Sequence, residues 1–300
     1  MAGGRAVGIP LKPKHQQSKQ ILRERCKEHF RSEHIDEWEV DFAGFEAALS
    51  EKTRMLILNS PHNPVGKVFT QEEIERLGAI LEKYPRVVVV EDNVYENMTF
   101  DDMFQKELPK LAFLPAFRDR TLSVYSGGKI FAATGSRLGW VIGAAHLIKC
   151  VRSVHQYNVF CGYSVVENAA GKSLEMIADP SSTYMRDYAE KLSKNRDLLL
   201  EQLIGSKFDF DLWVPKGGYF VIADISRVQV AEKYFTNESG KKVTKDFAFC
   251  FQLAHEEGVV AIPCSPFYAE KDAHLGEKYV RFAFCKDESM IKDAGNRMKQ

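Results

Sequence analysis

Two short, almost purely apolar runs stand out early in the chain, Met55-Leu-Ile-Leu58 and Val87-Val-Val-Val90. Such runs suit strands covered on both faces, as in a parallel sheet. Between them Thr70 and Glu73 have the spacing of a capping box, and Ile74, Leu77 and Leu81 follow at helical intervals. Strand, helix and strand make a βαβ unit with a right-handed crossover. The pattern predicts a third strand over 121–125 and a fourth over 139–143. The connection between them, 126–138, is short for a helical crossover, which predicts an antiparallel fourth strand.

One long helix is predicted over 146–173 and another over 182–204, after Asp179-Pro180. In the second, Tyr184, Tyr188, Leu192, Leu199 and Leu203 form one stripe. Past Gly205 the texture changes. Strands are predicted at 210–214, 218–225, 259–263 and 279–285, with a helix near 245–257 and a polar surface loop over 229–245. Val280, Phe282 and Phe284 alternate with Arg281, so that strand has one buried face. The expected fold class is α/β: a mostly parallel sheet with helices on both faces over 1–180, then a connecting helix and a smaller α+β domain over 181–300.

Composition narrows the function classes. Of 300 residues, 45% are hydrophobic and 27% charged, and 41 basic residues balance 41 acidic ones. No basic stripe marks a nucleic-acid binder, and no apolar run approaches the ~20 residues of a membrane span. The six cysteines (Cys26, Cys150, Cys161, Cys250, Cys264, Cys285) are scattered without metal-ligand spacing. They read as free thiols of a reducing compartment; no metal and a cytoplasmic location are expected. Residues 1–23 contain Arg5, Lys12, Lys14, Lys19 and Arg23 and no acid, which leaves a mitochondrial location open. Three glycines in the first eight positions argue against a targeting helix, so the start is read as part of the folded protein.

In open α/β sheets ligands sit at the carboxyl ends of strands. Here those ends read Asn59-Ser-Pro-His-Asn63-Pro-Val-Gly66, then Glu91-Asp92-Asn93-Val94-Tyr95, then Ser126-Gly-Gly-Lys129 with Arg137 beyond. An amide, a carboxylate with a phenol, and a lysine with an arginine thus converge. Gly128-Lys129 is not a P-loop, because Ile130 replaces the hydroxyl residue and Ser123 the first glycine. His62, beside Pro61, reads as a turn-packing residue. Asp92 follows a buried strand, where a carboxylate needs a partner.

These motifs resemble the pyridoxal-phosphate-dependent class I/II aminotransferases of fold type I. The matching stretches are Asn59–Gly66, Asp92-Asn-Val-Tyr95, Ser126–Trp140 and Tyr279-Val-Arg-Phe282. Met1-Ala-Gly-Gly4 with Ile9-Pro-Leu11, Gly217–Asp224 and Ala261-Ile-Pro263 are similar to the kynurenine–oxoglutarate transaminase and cysteine-S-conjugate β-lyase branch. The resemblance spans essentially the whole chain.

It implies pyridoxal 5'-phosphate as cofactor, an amino acid and a 2-oxo acid as small-molecule partners, and a homodimer. It implies Lys129 as the amine that holds the cofactor and moves the substrate Cα proton. Asp92 would pair the ring nitrogen, Asn63 and Tyr95 the ring's phenolic oxygen, and Ser126 and Arg137 the phosphate. Arg281 and Asn63 would bind the substrate carboxylate; Tyr219 and Phe220 could line the pocket, though two aromatics in a strand are more often core. Gly127 and Ser136 stand where relatives often have Ala and Trp, changes the site tolerates. About the first third of the family pattern has no counterpart, including a backbone turn at the phosphate and an aromatic stacked on the ring. Weak cofactor binding and slow turnover are therefore expected of this chain. The rival reading is a catalytically idle homologue acting as a binding or dimerising partner.

Overall fold

The structure, a computed structural model, describes residues 3–14, 38–100, 103–104 and 106–299; Cys26, Lys19 and Arg23 lie outside the described residues. The first elements are β1 (Lys12–Pro13), β2 (Trp38–Glu39), α1 (Phe42–Ala48), β3 (Met55–Asn59), α2 (Gln71–Leu81) and β4 (Val88–Asp92). Then come β5 (Thr121–Ser126), α3 (Gly127–Ile130), β6 (Gly139–Gly143), α4 (Ala145–Asn158), α5 (Ser164–Ala178) and α6 (Tyr184–Ile204). The rest is β7 (Asp211–Trp213), β8 (Phe220–Asp224), α7 (Lys245–Gln252), β9 (Ile262–Pro263), β10 (Tyr279–Ala283) and α8 (Glu288–Arg297). No helix among the described residues is long and apolar enough to cross a membrane.

Backbone contacts divide the chain into two compact units that interleave in sequence. One holds Phe42–His62 and Val68–Glu190; the other holds the described residues up to Asp41, Asn63–Lys67 and everything from Lys191 on. A single cut near residue 180 is the natural reading of the sequence. The contacts instead cut within α6 and assign two early segments to the C-terminal unit, because the Trp38 cluster described below and the backbone bonds of Lys216 and Gly217 to Gly66 hold them there.

The first unit is built on the sheet β3-β4-β5-β6, parallel except for the antiparallel β5–β6 pair. The expected βαβ unit is present. Thr70 Oγ1 accepts the Glu73 N–H at 3.2 Å and Glu73 Oε2 accepts the Thr70 N–H at 3.0 Å, closing the capping box of α2. Ile74, Leu77 and Leu81 are buried beneath it. Gly78 allows close packing there, since a Cβ would lie 2.8 Å from Leu114.

Two expectations need correction. The Met55–Leu58 run is not covered on both faces: β3 is an edge strand, and Met55 and Ile57 are 53% and 67% exposed. Alternate side chains point to opposite faces, and among the described residues nothing buries that pair. The single helix over 146–173 is two helices, broken at 159–163 where Phe160 adopts φ +69°, in the left-handed region.

The second unit is built on the antiparallel sheet β7-β8-β10-β9, with β1 paired to β2. Trp38, Val65, Trp213, Ile222, Cys264 and Tyr279 form one buried cluster against which Leu11 packs. Phe208, Phe210, Phe249 and Phe282 make a second set of ring contacts. The second set uses, through Phe282, the face of β10 that the alternation at 280–284 predicts; Tyr279 of the Trp38 cluster lies on the opposite face, so both faces of β10 are partly covered. The helix expected over 245–257 is α7, prolonged by a wider turn at Leu253–Glu257 and ended by Gly258 at φ +63°.

Candidate active site

In the parallel-sheet unit the polar strand ends form one neighbourhood. Asn59 pairs with Asp92 across β3 and β4, and its Nδ2 donates to the Asp92 carbonyl at 2.8 Å. The Ser60 N–H donates to the same carbonyl at 3.3 Å. The backbone of Asp92 is thereby fixed where the strand ends. Its carboxylate is half-buried and accepts the Val94 N–H at 3.4 Å. Burial pushes its pKa up, while Val94 and the nearby Lys129 charge pull in the other direction. Tyr95 is buried, and the Lys129 Nζ stands 5.6 Å from the centre of its ring.

Lys129 occupies the short turn α3, which starts directly after β5. Gly127 donates to the Leu138 carbonyl at 3.1 Å, tying the turn to the approach to β6. Ser126 pairs with Gly139 in the β5–β6 ladder, where a Cβ at 139 would lie 2.7 Å from the Tyr125 carbonyl oxygen. This close pairing brings Arg137, two residues before Gly139, to the end of the strand that leads to Lys129. Arg137 is exposed, has φ +53°, and donates to the Thr134 carbonyl at 3.4 Å. A non-glycine residue held there is a local strain of the kind that clusters at functional sites. Two tyrosines of α6 complete the support: Tyr184 Oη donates to the Ile130 carbonyl at 2.9 Å and Tyr188 Oη to that of Lys129 at 3.4 Å.

The antiparallel-sheet unit contains the other two expected residues. Arg281 on β10 faces Ile222 on β8 and Ile262 on β9. Its guanidinium carbon lies 3.9 Å from the centre of the Phe220 ring and 4.9 Å from that of Phe267. Its Nη1 donates to Asn63 Oδ1 at 2.6 Å. Asn63 belongs to a segment anchored by Gly66, whose carbonyl accepts the N–H groups of Lys216 and Gly217 at 3.0 and 3.1 Å. Gly66 takes φ +71°, and a Cβ there would meet Pro215 at 2.3 Å, so only glycine fits. Phe220 therefore acts both as core and as the platform of Arg281. A planar, stacked guanidinium with a fixed amide beside it is suited to binding a carboxylate.

Lys129, Asp92 and Tyr95 are thus brought together, with Ser126 and Arg137 on the adjoining backbone, and Asn63 and Arg281 are directly bonded. Asn59, Tyr184, Tyr188 and Phe267 also support these groups; the sequence puts Asn59 at a strand end and the two tyrosines on a helix stripe but gives none of the four a site role. Their contacts depend on strand register and on hydrogen bonds to carbonyls distant in the chain, which leave no local pattern.

A sheet whose strand ends gather a lysine, a half-buried carboxylate and a phenol, in a chain whose other unit carries a stacked arginine, defines the class of fold type I aminotransferases. The family model for aminotransferase class I and II matches residues 5–297, and the chain belongs to this family. It is similar to the protein BNA3 of Saccharomyces cerevisiae, 36% identical over all of this chain and 63% of that protein. The Dictyostelium discoideum kynurenine–oxoglutarate transaminase is 32% identical over 99% of this chain and 66% of its own. The crystal structure of Bna3p from Saccharomyces cerevisiae aligns with a TM-score of 0.83 at 33% identity, covering 99% of this chain and 66% of that one. The chain therefore spans about two thirds of the length of these relatives.

Proposed function

We propose that the protein is a pyridoxal-phosphate-dependent aminotransferase that moves an amino group from a kynurenine- or glutamine-like amino acid to a 2-oxo acid. The observation that carries this reading is the Lys129 amine beside the buried Tyr95 ring and the half-buried Asp92 carboxylate. The family is generally pyridoxal-phosphate-dependent, and the donor set fits that group. Asp92 suits a protonated ring nitrogen, Ser126 and Arg137 a phosphate, and Tyr95 and Asn63 a phenolic oxygen. When bound, the cofactor supplies an electron sink that lets a substrate Cα–H bond ionise.

The chain's own residues do the rest. Lys129 Nζ would act as the general base that takes the proton from the substrate Cα and carries it away from that carbon. Asp92 would hold the cofactor's ring nitrogen in its protonated form by its charge. Arg281 and Asn63 hold the substrate carboxylate. The same proton removal, followed by loss of a β-sulfur substituent with the bonding electrons, accounts for a cysteine-S-conjugate β-lyase side activity. A homodimer and a cytoplasmic location belong to the same reading; the described cysteines, all free, support the second.

A second reading, an idle homologue that serves as a dimerising partner, is favoured by exposed apolar side chains at Met55, Ile57, Tyr157, Phe160 and Tyr163. One experiment separates the two. Protein purified with pyridoxal phosphate is expected to show a visible absorbance band that amino acids bleach, and borohydride is expected to tag the peptide containing Lys129. A tag on another lysine, or none, contradicts the enzyme reading.

A further inference from the structure

Behind the strand ends the parallel-sheet unit buries a second titratable cluster. Lys110 is only 8% exposed. Its Nζ donates to Glu96 Oε1 at 2.7 Å and to Tyr125 Oη at 3.4 Å, and lies 5.2 Å from the centre of the Phe113 ring. Burial works against its charge, but Glu96 and Tyr125 more than offset this and raise its pKa. Beside it, Glu91 is buried and accepts the N–H groups of Leu111 and Ala112, at 2.6 and 3.3 Å, and the Ser123 hydroxyl at 3.1 Å. Strand alternation puts Glu91 and Tyr125 on the sheet face opposite Asp92 and Ser126. The cluster therefore underlies the candidate site.

Its two partners are significant. Glu96 directly follows Tyr95, and its N–H donates to the Asn93 carbonyl at 3.0 Å, closing the turn that starts at Asp92. Tyr125 directly precedes Ser126 and is stacked on Trp140, with ring centres 6.1 Å apart. One ammonium thus joins the turn bearing Asp92 and Tyr95 to the strand end leading to Lys129. We propose that Lys110 is a positioning residue for the aminotransferase site, and this inference rests on that reading. By bonding Glu96 and Tyr125 together, it holds Asp92 and Tyr95 at a fixed place relative to Lys129. Without its charge, the Glu96 carboxylate loses its counterion in a half-buried position and turns toward water, drawing Tyr95 with it. Glu96 Oε2 is already buried without a hydrogen-bond partner, so the pair has no second bond to keep it in place.

The test compares Lys110→Met, Lys110→Arg and Glu96→Gln with the parent protein, all purified with pyridoxal phosphate. Lys110→Met is expected to lower kcat about tenfold while KM stays within about twofold, since small misplacements of reacting groups act on the chemical step. The pH midpoint of the visible band is expected to move by about 0.5 or more on the pH scale, with the borohydride tag still on Lys129. In cofactor-free protein, acetic anhydride labelling of Lys129, read by peptide mass spectrometry, is expected to change at least about twofold. Lys110→Arg is expected to restore all three readouts toward parent values. A Lys110→Met protein that melts lower but keeps kcat, midpoint and labelling rate would make Lys110 merely structural. So would a stably folded Lys110→Arg protein that restores nothing. If Lys110→Met does not fold, Glu96→Gln decides: an unchanged midpoint and labelling rate overturn the proposal. Absence of the tag from the parent protein overturns the aminotransferase reading itself, and is distinguishable because it precedes any substitution.

Discussion

Lys129 and Arg281 are fixed in opposite ways. Around Lys129 the hold is on the backbone: Gly127 is bonded to Leu138, and two tyrosine hydroxyls donate to the carbonyls of residues 129 and 130. The amine itself meets the π face of Tyr95 and the field of Asp92. Around Arg281 the hold is on the charged head, stacked near two rings and bonded to Asn63, on a strand with neighbours on both sides. In the proposed function Lys129 would move a proton, a task that needs a fixed root and a tip within reach of the substrate. A group that anchors a carboxylate needs the tip fixed, because freedom there is lost again on each binding event.

The largest effect that would test this contrast is at Lys129. Lys129→Ala is expected to remove the borohydride tag and lower kcat by roughly 10²–10⁴-fold, the range of a lost general base. The measurement is transamination rate alongside peptide mass spectrometry. An unchanged visible band in this variant would show that another amine does the work. Next comes Arg281→Ala, expected to weaken amino-acid binding by about 2–5 kcal/mol, as truncating one side of a buried charge pair does. Cofactor affinity, followed by absorbance titration, is expected to hold. Equal damage to both would assign Arg281 to the fold instead of to the substrate.

Much of this site is legible in the sequence alone. The strand-end positions of Asp92 and Lys129, the capping box at Thr70 and the antiparallel β6 follow from spacing and strand rules, and all appear in the structure. Less legible is anything set by long-range register. Asn59 meets Asp92 only because β3 and β4 pair as they do. The break at Phe160 carries no proline; its signal is the weak helix propensity of Asn158, Val159, Cys161 and above all Gly162, which the apolar periodicity on either side outweighs. The assignment of Asn63–Lys67 to the C-terminal unit depends on the fit of Gly66 against Pro215, a contact between residues far apart in the chain.

The supporting cluster gives a smaller, pH-dependent effect. Burial raises the Glu91 pKa above its ordinary value of 4.5, against the pull of its three hydrogen bonds and of Lys110. A raised folded pKa means that the folded state binds the proton more tightly than the unfolded chain. The associated stability is fully present below about pH 4.5 and is lost as pH rises through the folded value. Glu91→Gln keeps one carbonyl oxygen for the Leu111 and Ala112 N–H groups, turns the Ser123 contact into one that the amide donates, and removes the titration. Its melting temperature is expected to fall less than that of the parent as pH rises across this window. Parallel pH profiles for the two proteins would mean that Glu91 ionises in the folded state as freely as in the unfolded one.

The smallest effect sharpens the comparison most, because it separates the stacking of Arg281 from its charge. Phe267 is 39% exposed, whereas Phe220 is buried in the sheet. Phe220→Leu would disturb packing as well as stacking, so its outcome would be ambiguous. Phe267→Leu removes one aromatic face while keeping apolar volume and leaving the Asn63 bond in place. A partly exposed cation–π contact contributes about 0.5–1 kcal/mol, which corresponds to an increase of roughly two- to fivefold in KM for the amino acid. kcat is expected to stay unchanged, since the anchor acts equally on the bound substrate and on the transition state. If the head of Arg281 is fixed mainly by Phe220 and Asn63, the increase stays within that range. An effect as large as that of Arg281→Ala would instead make Phe267 a direct part of the substrate site, in contact with the amino acid's own side chain. A fall in kcat without a change in KM would break the division of labour between the two regions, because it would give the anchor a share in the chemical step.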